Sequence, residues 1–79
     1  MSYGLLIASN KQVVALGLTD FLSAQHCALR ISKDTAGNPP VVVFEEDTGD
    51  YLCCTSSDGK GDVWITLVIT GVKYDPSIL

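Results

Sequence analysis

The apolar pattern of this chain begins at its third residue, and its period is two. Tyr3, Leu5 and Ile7 fall on one side of the alternation, and Gly4, Leu6 and Ala8 fall on the other. That spacing belongs to an extended strand, where successive side chains point to opposite faces. The polar run Ser9-Asn10-Lys11-Gln12 interrupts it, after which Val14, Leu16 and Leu18 alternate with Val13, Ala15 and Gly17. Two alternating runs around a polar loop predict a β-hairpin. A chain of 79 residues that spends its opening stretch on a hairpin must build the rest of its core onto a sheet.

The remaining sequence extends the same reading. Between Thr19 and Gln25 there is room for one helical turn, with Thr19 or Asp20 as its cap. From His26 to Ser32 the alternation predicts a strand, with Cys27, Leu29 and Ile31 inward and His26, Ala28, Arg30 and Ser32 outward. Residues 33–40 carry Gly37, Asn38 and the pair Pro39-Pro40, a strong loop signal. Val41-Val42-Val43-Phe44 is β-branched and apolar on both faces, which suits a central strand or one covered by a partner. After a turn over residues 45–50, Tyr51 to Thr55 returns. A second turn over residues 56–62 leads into the longest predicted strand, Val63 to Val72, with Ile65, Leu67 and Ile69 opposite Trp64, Thr66, Val68 and Thr70. Residues 73–79 form a tail that Pro76 keeps out of any ladder. The expected fold is all-β, a small antiparallel β-sandwich or open barrel of about six strands. It forms one domain over residues 1–79 with a short C-terminal tail at 73–79.

So small a domain hides only about 60% of the surface its unfolded chain exposes, yet 47% of its residues are apolar. Some of that apolar surface is expected to face a partner. The net charge is −4, and Lys11, Arg30, Lys33, Lys60 and Lys73 are scattered. A basic stripe interleaved with aromatics, the mark of a nucleic-acid binder, is not formed. No run approaches the roughly 18 apolar residues of a membrane span. The start lacks the basic n-region of a secretory signal, so folding in a cytosol is expected.

Few residues offer chemistry. Cys27, Cys53 and Cys54 are an odd set without the spacing of a structural zinc site. They read as small buried hydrophobes in a reducing cell, with a Cys27–Cys53 bridge or a late cross-linking thiol as the alternative. His26 adjoins Cys27, but neighbouring strand residues diverge, so the two do not make a nucleophile and base. An enzyme would need groups supplied between copies, such as Asp58 or Asp62 facing His26 of another chain. The runs Glu45-Glu46-Asp47-Thr48-Gly49-Asp50 and Asp58-Gly59-Lys60-Gly61-Asp62 look superficially like calcium loops. The second places Lys60 where an oxygen ligand belongs, and both read as solvated hairpin turns. Trp64 and Tyr51 suit packing, or stacking on a ligand. No catalytic residue, metal or cofactor is expected.

The opening MSYGLLIASNKQVVALGLTDFLS resembles the start of small virion proteins encoded among the tail genes of tailed bacteriophages. The resemblance is carried by Tyr3-Gly4-Leu5, the Asn10 turn, Val13 to Leu18, and Thr19-Asp20. That group resembles tail-tip or fibre-associated β proteins that assemble as oligomers. Its members are generally longer, with a receptor-facing or spacer region, so the resemblance points to attachment or capping rather than receptor binding. It implies a non-enzymatic tail-associated structural protein of the virion, assembled in the bacterial host cytoplasm. Its partners would be other virion proteins and further copies of itself, with no nucleic acid and no membrane insertion. A head decoration protein and a small cellular ligand-binding β module are the alternatives. The residues expected to meet partners are Tyr3, Leu5 and Ile7 of the first strand, Val42 and Phe44, and Tyr74, Ile78 and Leu79 of the tail.

Overall fold

The computed structural model of the chain describes residues 1–67. The predicted strand beyond Leu67, the tail, and with it Tyr74, Ile78 and Leu79 lie outside the described residues. The fold is the mainly antiparallel β fold that the patterning predicts. Five strands, β1 (Tyr3–Ile7), β2 (Gln12–Leu18), β3 (Val41–Glu45), β4 (Tyr51–Ser57) and β5 (Val63–Leu67), form one open sheet in the order β2-β1-β3-β4-β5. All neighbouring pairs are antiparallel.

The opening hairpin forms as expected. Ile7 pairs with Gln12, the Lys11 N–H donates to the Ile7 carbonyl at 2.8 Å, and the Asn10 side chain accepts from the Gln12 N–H at 2.9 Å. Lys11 takes a positive φ of 57° to close the turn. Val41–Phe44 becomes the central strand that its apolar faces predict, with all four side chains buried.

The second layer is a correction. Residues predicted as a strand from His26 to Ser32 lie in a helix, α1 (Phe21–Asp34), which packs on one face of the single sheet, so no second sheet forms among the described residues. Topology calls for this helix. β1 runs antiparallel to both β2 and β3, so β2 and β3 are parallel to each other, on opposite sides of β1. Parallel strands need a crossover of a dozen or more residues, usually helical. The sequence supplies one. Asp20, in extended conformation, caps the start, its carboxylate accepting from the Ser23 N–H and hydroxyl at 2.9 Å each. At the other end Thr35 Oγ1 donates to the Ile31 carbonyl at 2.7 Å, and the Asn38 amide donates to those of Ser32 and Lys33 at 3.1 and 3.3 Å. These bonds satisfy carbonyls a helix end leaves unpaired, and Pro39-Pro40 stops propagation.

Three small residues a turn apart, Ala24, Ala28 and Ser32, are the fully buried positions of α1. They bring the helix close to the sheet, where Leu5, Val41, Val43 and Cys53 complete the core. Phe21, Cys27 and Ile31 flank it, and the Phe21 ring packs at 5.5 Å on Tyr3. Thr55 is buried with its hydroxyl accepting from the Val41 N–H at 2.8 Å.

The opposite sheet face holds a second buried cluster, Leu6, Val42 and Phe44, bordered by Val13, Tyr51 and Cys54. Its tightest contact is over Gly4. A β-carbon there would overlap the Phe44 ring and stand 3.0 Å from Leu16 Cδ2. Only glycine lets the ring lie against this backbone.

Candidate functional site

The residues singled out for partners divide by depth. Leu5, Val42 and Phe44 are buried within the chain, and Tyr3 and Ile7 are partly buried on the same interior strands. Neither β1 nor β3 is a sheet edge. A side chain covered by its own fold has little area left for a partner, so Leu5, Val42 and Phe44 belong first to the core, with Tyr3 packed against it.

Apart from Met1 and Leu22 on α1, the large exposed apolar residues among those described lie on the outer strands. On β2, Leu16 is 61% exposed, and on β5, Trp64 and Leu67 are 46% and 67% exposed. The two strands differ in build. In β2, Tyr3 pairs with Leu18, Leu5 with Ala15 and Leu6 with Val13, so an extra residue is inserted twice on the β2 side. Gly17, inside the first insertion, has φ of 75°, and its N–H donates to the Glu46 carboxylate from the β3–β4 turn. Bulges twist an edge and spoil its ladder. β5 has none. Val63, Trp64, Ile65, Thr66 and Leu67 pair residue for residue with Ser57, Ser56, Thr55, Cys54 and Cys53. Its outer side carries no partner strand among the described residues. Ser56 and Thr66 also share a hydroxyl hydrogen bond of 2.9 Å.

The residues considered for chemistry have other employment. Cys53 faces the helix side and Cys54 the other, as strand alternation requires. All three cysteines are free thiols. Burial pushes the Cys53 and Cys54 thiols up, and a weak hydrogen bond from Gln25 only partly offsets this at Cys53. Raised thiols are poor nucleophiles near neutral pH. His26 is exposed on α1. Asp58 uses its carboxylate to accept from the Lys60 and Asp62 N–H groups at 2.7 and 3.3 Å, which shapes the β4–β5 turn around Gly59 and Gly61. In the β3–β4 turn, Gly49 N–H donates to the Glu45 carbonyl at 2.7 Å and Asp50 N–H to Thr48 Oγ1 at 3.2 Å. Among the described residues, no three acidic, histidine or cysteine side chains converge on a point where a metal would sit. No described helix is long and apolar enough to cross a membrane.

The functional feature that sequence reasoning passed over is this contrast between a bulged β2 and a regular β5. Its one visible signal was composition: V-W-I-T-L has no charge, proline or glycine, whereas β2 contains Gly17. No protein-family model matches the chain, and no match was found among curated proteins or among solved structures.

Proposed function

We propose that this chain is a non-enzymatic structural module that works by docking and self-association, as a tail-associated component of a bacteriophage virion at the tail tip or fibre. One observation carries the assembly part: Trp64 and Leu67 are exposed on a regular strand without a charged residue, the outermost on its side of the sheet among the described residues. Large apolar groups on a sheet border are a liability for a solitary protein and an asset for an assembling one. The placement in a virion tail rests on the resemblance of the opening stretch, Tyr3-Gly4-Leu5 through Thr19-Asp20. A head decoration protein would use the same kind of surface.

The test is to purify phage particles made by cells that carry the gene, separate heads from tails, and quantify the chain by mass spectrometry. Recovery with tails at a fixed copy number supports the proposal. Recovery with heads moves the chain to the decoration role. Absence from particles, with the chain free in the lysate, overturns the virion reading.

A further inference from the structure

We infer that the outer edge of β5 pairs with the same edge of a second copy, joining the sheets of two copies into one continuous sheet across a two-fold axis at Ile65, the middle residue of the described strand Val63–Leu67. This deepens the self-association reading and rests on it. Antiparallel strands place residues of like facing opposite each other. Around Ile65 that rule is met without adjustment: Val63 meets Leu67, Trp64 meets Thr66, and Ile65 meets its own counterpart. Within one chain, Ile65 and Leu67 pair with Thr55 and Cys53, on the helix-packed face, while Trp64 and Thr66 pair with Ser56 and Cys54 on the other. The two copies therefore align helix face with helix face. A closed two-fold contact needs such self-complementarity.

Three further features favour this edge and this occupant. β5 is unbulged, so its alternate outward N–H and C=O groups stay in line for a ladder. It contains no charge, so two copies meet without like-charge repulsion even though each chain has net charge −4. Pairing also covers the side chains the monomer leaves out: Leu67 packs against the second Val63, and Trp64 lies beside the second Thr66. Cross-strand neighbours on one face, above all an aromatic beside a β-branched residue as Trp64 beside Thr66, stabilise sheets. The β2 edge is also uncharged and also exposes an apolar side chain, Leu16, but its two insertions break the ladder, and its Gly17 N–H is already taken by the Glu46 carboxylate.

The register can be tested by charge. In the full chain carrying both Trp64→Lys and Thr66→Lys, two lysines would face each other at each pair. Carrying Trp64→Glu and Thr66→Lys, the same positions would attract. Sedimentation equilibrium should show a dimer for the native chain, half that mass for the double-lysine chain, and the dimer again for the glutamate–lysine chain. Leu16→Lys, on β2, should leave the dimer intact, and far-UV circular dichroism checks that each variant folds. Should a variant misfold, hydrogen exchange on the native chain decides: protection of the amides of residues 63–67 should rise with protein concentration. A native oligomer indifferent to the β5 changes, or concentration-independent exchange at 63–67 in an oligomer, overturns the β5 pairing while leaving self-association in place. A native chain that stays monomeric overturns both.

Discussion

At Gly4 the whole arrangement of the second sheet face depends on a missing side chain. Phe44 occupies the space a β-carbon would fill, with Leu16 behind it. Gly4→Ala should therefore destabilise the fold by about 1–3 kcal/mol, the usual cost of overpacking, measured by urea denaturation. Ser32 works in the opposite sense. Its hydroxyl is buried under α1 with no hydrogen-bond partner. Ser32→Ala removes an unsatisfied group and favours the helix, so it should stabilise by about 1 kcal/mol, a rise in Tm of about 4–8 °C for a domain of this size. A lower Tm for Ser32→Ala would mean that the hydroxyl has a partner after all.

At the scale of the element, α1 is where the sequence misled, and the reason is physical. Its buried stripe consists of Ala24, Ala28 and Ser32, small residues that carry little hydrophobic signal. The bulkier Cys27, Leu29 and Ile31 happen to alternate over a short window, and that alternation imitates a strand. The clearer signs lay outside the window: the Asp20 cap, good helix formers through Lys33, and the Gly37-Asn38-Pro39-Pro40 stop. The hairpin and β3 were legible because their patterns are set by local chemistry, a polar turn and a β-branched run. The bulges of β2 were not, since they arise from pairing with β1. Asp20 also makes the helix pH-dependent. Hydrogen bonds from Ser23 hold its carboxyl below the ordinary aspartate value, with the charge of His26 a lesser cause. The folded state therefore favours the ionised form. That contribution is complete above the ordinary value and is lost as pH falls through the lowered one. Asp20→Asn, which keeps a capping oxygen, should flatten the acid limb of the Tm–pH profile. Asp20→Ala should flatten it too and also lower Tm at neutral pH.

On the scale of the molecule, the described sheet is apolar on both faces, and among the described residues only its β2 edge carries bulges. Tyr3, Leu5, Ile7, Val42 and Phe44, first assigned to partners, lie on the interior strands β1 and β3, and the exposed apolar groups of β5 offer a contact beside the expected tail residues. An uncharged strand edge should associate with little dependence on ionic strength, because screening acts on charges. High salt should therefore leave the assembly intact, whereas an assembly held by the acidic turns would change.

The central claim is self-association. The most direct measurement is the native mass of the purified full chain by light scattering over a dilution series, with and without reductant and calcium. A mass at least twice that of the chain, independent of both additions, is the predicted result. A monomer at every concentration would contradict it.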